Sequence, residues 1–379
     1  MKLLHIIIMV LMLVITLPAH GQNALEFRGQ LSGYGAYNPD SDLDLLFGGR
    51  YIPELTYSHR LRNNQSLDFM ASANIYGSVL MRPFDANTAH GDVQPYRIWA
   101  RYTGGQCEIR AGLQKINFGS AAVLRPLQWF DEIDPRDPLQ LTNGVYALLG
   151  RYYFMNNANV WLWMLYGNEK TRGFEAVPSN ENVPEFGGRF QYPVPAGEVA
   201  LSYHHRTADT RDVTGLPAYK KVPENRIGLD CKWDVEVGLW FEAVYVGKTK
   251  EVGQLTHQHY LTLGTDYTFG VGNGLNVVAE HMLASFDEKA FAFDGVVTNI
   301  SAATITYPLT LNDKISSVFY FSWEEEAFSA FVSYEHQFRR LVGYVMAYYN
   351  AKTNEQLQQN ELLYNLTGPG LRLMVVFNH

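Results

Sequence analysis

Cysteine is almost missing from this chain of 379 residues, which holds only Cys107 and Cys231. That excludes a small scaffold stapled by several disulfides. The two read either as one disulfide or as two small apolar side chains on strand-like segments. CxxC pairs, zinc-ligand spacings, a P-loop and a dinucleotide fingerprint are also absent, so no cofactor and no metal is implied. Long apolar runs are confined to the start of the chain, which leaves no candidate membrane helix beyond it. Positive charge is in deficit: 30 Lys and Arg against 38 Asp and Glu give a net charge of −8, which argues against nucleic acid as a partner. With no Pro/Ser-rich linker and no heptad repeat, one domain is expected.

Residues 1–21 read as a secretory signal peptide. Lys2 supplies the positive start, residues 3–17 the apolar run, and Ala19 and Gly21 the small residues ahead of cleavage before Gln22. The whole chain is 47% hydrophobic and 14% aromatic. Exported and without membrane helices, it must bury that surface in a core or turn it outward to lipid. Its 24 Tyr, 21 Phe and 32 Gly favour the second solution.

Period-2 patterns recur. Leu67, Phe69, Ala71, Ala73 and Ile75 alternate with Asp68, Ser72 and Asn74; Ile227, Leu229, Cys231 and Trp233 alternate with Arg226, Asp230 and Lys232. A charge on a lipid-facing position costs ~2–4 kcal/mol at the midplane, so the charged phase belongs to the lumen. Short polar turns such as 62–65, 104–106 and 195–197 alternate with longer connections at 81–93, 119–144, 168–184 and 207–222. The expected fold over residues 22–379 is all-β: a transmembrane up-and-down antiparallel β-barrel of about 18 strands, with 16 as the other count. Pro53 is expected to interrupt the second segment, because it cannot donate to a ladder. Residues 159–165 are apolar on both phases, which also suits a buried globular strand.

Candidate functional residues concentrate between 97 and 144. Arg97, Arg101 and Arg110 share the polar phase of neighbouring segments, followed by Gln114, and should form a basic wall cluster. The third outward loop, about 118–144, carries Arg125, Asp131, Glu132, Asp134 and Asp137 together with Trp129, Phe130 and three prolines. So stiff and aromatic a loop is expected to pack into the barrel, its acids facing the basic wall across a narrow eyelet. The other reading is a solvated rim loop, with the wall arginines paired to Glu108 or other wall carboxylates. His204-His205 and His257-x-His259 lack a completing ligand set and read as rim histidines, while Glu280 and His281, being adjacent, point to opposite faces. No serine is marked as a nucleophile, so no enzyme is expected.

The segment Arg110-Ala111-Gly112-Leu113-Gln114-Lys115-Ile116-Asn117-Phe118-Gly119 resembles one shared by porin-like families, including alginate-export-type and phosphate-selective outer-membrane barrels. The resemblance implies a Gram-negative outer-membrane location and a diffusion channel or substrate-selective porin whose loop enters the pore. The apolar row Leu371, Leu373, Val375 and Phe377 resembles the closing strand read by the barrel-assembly machinery. The expected function is passive diffusion of small polar or charged solutes. The alternative is a non-conducting barrel serving as a structural or partner subunit of an outer-membrane assembly or export complex. Lipid and the assembly machinery are the expected partners, and a homo-oligomer is left open.

Overall fold

The computed structural model describes residues 23–39, 45–81, 87–351 and 368–379; the leader read at 1–21 lies outside them. The described chain is strand and connection throughout. In order the strands are β1 (Asn23–Tyr37), β2 (Leu45–Arg60), β3 (Ser66–Met81), β4 (Thr88–Gly104), β5 (Cys107–Gln114), β6 (Val145–Tyr153), β7 (Asn159–Leu165), β8 (Glu185–Val194), β9 (Gly197–Ala208), β10 (Val222–Asp234), β11 (Gly238–Lys248), β12 (His257–Phe269), β13 (Leu275–Asp287), β14 (Val296–Pro308), β15 (Asp313–Ser322), β16 (Ala327–Gln337), β17 (Leu341–Asn350) and β18 (Gly368–Asn378). Each pairs antiparallel with its sequence neighbours, and β1 pairs with β18, closing an 18-stranded barrel. An even number of strands brings both ends of the barrel to the side of the short turns, here the turn end. The longer connections mark the opposite, loop end.

The alternation decides which side chains face outward. Phe69, Ile75, Ile227, Leu229, Leu261 and Leu263 are exposed on the outer face. On β18 the row Leu371, Leu373 and Val375 is exposed outward while Met374 and Val376 are buried inside. Cys107 and Cys231 are free thiols, half-buried, which removes the disulfide reading. The doubly apolar β7 is explained by its two environments: Leu162 and Met164 face outward, while Trp163 and Leu165 are buried inside the barrel.

Two expectations are corrected. Pro53 does not interrupt β2: it lies opposite Gly29 on β1, and the β2–β3 register steps from Tyr51↔Ile75 to Glu54↔Ser72 past it. The β2–β3 register is the same on both sides of Pro53, and a separate bulge lies between β3 and β4, where Ser72↔Arg97 and Ala73↔Pro95 leave Tyr96 as the extra residue. Most of the connection expected at 81–93 is strand, since β3 runs to Met81 and β4 starts at Thr88.

The inner face is also less polar than expected. Val244, Tyr260, Met282, Ile300, Val318, Phe331, Met346 and Met374 form one buried apolar cluster with residues of the connection between β5 and β6.

Candidate functional site

The connection from 115 to 144 (loop 3) folds into the barrel. At its start Gln114 is fully buried, and its amide donates to the Ala147 carbonyl at 2.9 Å. A loop taken out of water must find acceptors for its N–H groups. Two inward carboxylates provide them. Glu242 on β11 accepts from Ser120 at 2.5 Å, Ala121 at 2.8 Å and Leu127 at 3.3 Å. Glu280 on β13 accepts from Ala122 at 2.6 Å, Val123 at 3.0 Å and Leu124 at 2.5 Å, and from the Trp240 indole at 2.9 Å.

Aromatic packing holds the same stretch against the other wall. Phe118 stacks on Trp163 with ring centroids 5.5 Å apart, and Phe130 meets Trp163 edge-on at 5.4 Å and His204 at 5.0 Å. Such pairs add to the area they bury. Gly228 on β10 leaves room for the loop: a Cβ there would lie 2.4 Å from the Leu127 side chain and 3.2 Å from the Trp129 ring. Beyond Phe130 the loop crosses the lumen. Arg136 lies 5.8 Å from the Tyr320 ring on β15, and the Thr142 carbonyl accepts from Arg97 on β4 at 2.8 Å.

Of the expected basic cluster, the structure brings only Arg97 onto the loop. Arg101 and Arg110 sit opposite each other on β4 and β5, nearer the turn end. Arg101 pairs with Asp68 at 3.0 Å, and Arg110 with Glu108, also at 3.0 Å. Arg151 reaches Glu108 at 3.4 Å, and Trp99 and Trp161 lie beneath these guanidinium groups. The loop acids are occupied locally: Asp131 pairs with Arg125 at 3.0 Å and Asp134 with Arg136 at 2.7 Å. Asp137 accepts the N–H groups of Leu139 and Leu141. Burial pushes its carboxyl above the usual range, against those bonds and the nearby Arg372 and Arg50. The basic groups felt by Asp137 are therefore on β18 and β2, a consequence of how far round the bore the loop travels. Burial also pushes Glu132 up to about 7, opposed by the Asn143 amide.

The connection 166–184 (loop 4) turns inward as well, which sequence reasoning missed. Phe174 stacks on Tyr260 with centroids 5.4 Å apart. Arg172 binds Glu185 at 2.9 Å. Glu175 meets Arg226 at 2.6 Å and Arg206 at 3.1 Å. Burial would raise the Glu175 carboxyl, but Arg172, Arg206 and Arg226 outweigh it and hold it below the usual range. Arg206 and Lys248 also pair with Glu224, at 2.6 and 3.1 Å. His204, read as a rim residue, is fully buried and takes the Trp163 indole proton at 3.2 Å beside Glu185 at 3.0 Å. A cavity of about 20 Å³ between Trp129, Phe174, Arg206 and Tyr260 has room for about one water. The anchoring role of Glu242 and Glu280 was missed too, Glu280 having been weighed only beside His281, though each is a carboxylate flanked on the inward phase by apolar residues: Trp240, Glu242, Val244 and Glu280, Met282, Ala284. That pattern was the available signal.

The closed antiparallel barrel has counterparts among solved structures. An OmpF of Salmonella typhi, solved with daunomycin, superposes with a TM-score of 0.54 at 11% identity over 94% of this chain and 98% of its own. This is the porin fold. OccD3 (OpdP) of Pseudomonas aeruginosa matches this porin barrel with a TM-score of 0.57 at 8% identity, over 94% of this chain and 91% of its own. OccAB4 of Acinetobacter baumannii matches with 0.54 at 10% identity, over 95% and 99%. No family model matches the sequence, and no curated protein does. At such identities the likeness carries the fold alone.

Proposed function

We propose that the protein is an outer-membrane, porin-like channel, not an enzyme, through which small polar or charged solutes diffuse passively. The observation that carries this reading is the anchoring of loop 3 across the lumen. A segment tied by its backbone to Glu242 and Glu280 and closed onto Arg97 has the fixed geometry of a constriction. Pore width and charged linings set selectivity in such channels. On this reading, solutes approach the constriction from the turn end along the partly accessible Arg101, Asp68, Arg110 and Glu108, with Gln114, Arg125, Asp131, Glu132, Asp134 and Asp137 belonging to the constriction itself. The lipid-facing outer wall and the closing strand β18 suit insertion by the barrel-assembly machinery. The test is swelling of liposomes that hold the folded protein, in neutral, anionic and cationic solutes of graded size. Entry of small solutes with a sharp size limit supports a channel.

One observation favours a second reading. Phe118, Trp129, Phe130 and Trp163 bury an aromatic core inside the barrel, as a plugged structural subunit would. Liposomes that do not swell in any solute would support that subunit over the channel.

A further inference from the structure

The outer wall carries a polar notch near the loop end that the channel reading does not use. Tyr245, His259 and Ser285 lie side by side in one cross-strand row of β11, β12 and β13, on the lipid-facing phase. His259 is only 4% exposed, and neither of its ring nitrogens has a hydrogen-bond partner among the described residues. Such a group is uncommon, because burying an unsatisfied donor and acceptor opposes folding.

Two phenylalanines from the connection between β13 and β14 cover it. Phe293 lies 4.7 Å from the His259 ring centroid and Phe291 5.1 Å, with Phe291 also stacked on Tyr245 at 5.0 Å. Both residues hold left-handed backbone, φ +57°, which an L residue adopts only at a penalty. Both are also largely exposed, at 66% and 46%. A strained cap with two outward rings over an unsatisfied imidazole fits a covered site better than a finished surface.

The surroundings select the occupant. A neutral imidazole offers one donor and one acceptor. Asp287 beside it is saturated by Ser285 at 2.6 Å and by the N–H groups of Asp294 and Gly295 at 3.0 and 2.6 Å, so a ligand must bond to His259 itself. That fixed carboxylate disfavours an anionic group at the same spot. The outward face is apolar below the notch, and the loop end is where acyl chains give way to headgroups.

We propose that the notch seats one membrane lipid, whose ester or hydroxyl oxygen bonds to His259 while its acyl chains lie against the displaced Phe291 and Phe293. The full folded chain in detergent micelles is titrated with phosphatidylethanolamine, and native mass spectrometry counts lipids per barrel. One saturable lipid is expected, held about fivefold more weakly by His259→Phe, which fills the same space without nitrogens. Phe291→Gly, which relieves the left-handed strain and opens the cap, is expected to bind more tightly. Channel conductance, which depends on the opposite face, is expected to stay unchanged in both variants. Equal binding by the native chain and His259→Phe, no saturable lipid on the native chain, or unchanged binding by Phe291→Gly would each overturn the proposal.

Discussion

Glu242 and Glu280 reach into the barrel from β11 and β13, and each accepts three N–H groups of loop 3: Glu280 those of consecutive residues 122–124, Glu242 those of Ser120, Ala121 and Leu127. The loop's position thus rests on two side chains more than a hundred residues beyond it. Replacing Glu280 by Ala strands three N–H groups, two of them buried, and the Trp240 indole. The expected cost is about 3–5 kcal/mol, since each orphaned donor carries ~1–3 kcal/mol but the loop can partly relax to water. Conductance steps should grow and proteases should cut within 119–144. Unchanged conductance with an uncut loop would contradict the anchoring role.

The arginines of the turn end test selectivity. Arg101 and Arg110 neutralise Asp68 and Glu108. Arg101→Ser with Arg110→Ser leaves the carboxylates in excess, so the reversal potential in a KCl gradient should move toward cation preference. A shift toward anions would show that solutes do not pass along this wall.

A pH effect follows from Glu132, whose carboxyl is pushed up to about 7. The folded protein therefore holds a proton that the unfolded chain releases above about 4.5. Stability from this group is complete below that pH and is lost as pH rises toward 7, by up to ~3 kcal/mol before solvent screening is discounted. Glu132→Gln should flatten the fall of urea stability between pH 5 and 8 relative to the native chain. Parallel curves would contradict the assignment.

Gly228 is the seat of loop 3 on β10. Gly228→Val would press on Leu127 and Trp129, at a cost of ~1–3 kcal/mol typical of overpacking. The loop should loosen while the barrel still shows heat-shifted gel migration. Native-like loop protection in this variant would mean that the seat is not tight.

The barrel was legible in the sequence because a two-faced wall allows few exceptions: alternations such as those at 67–75 and 227–233 put their apolar residues on one face and their charges on the other. The inward packing of Trp129 and Phe130 was legible for a related reason, since such rings need cover. The contents of the lumen were not. His204 and His205 look alike in sequence, and only the strand phase sends one into the network with Glu185 and Trp163. Pairing of Arg206 with Glu224 and Glu175 depends on the register of β9 and β10 and on where loop 4 lands. Arg101 and Arg110 follow the other reading of the wall arginines, pairing with wall carboxylates: Asp68 across the β3–β4 ladder from Arg101, and Glu108 on the same strand as Arg110.

The central claim is a water-filled route past an anchored loop. Single-channel recording in planar bilayers, on protein whose gel mobility shifts with heat, tests it most directly. The account predicts discrete current steps that rise linearly with voltage and enlarge in Glu280→Ala. Silent membranes with the native chain and with Glu280→Ala alike would contradict it.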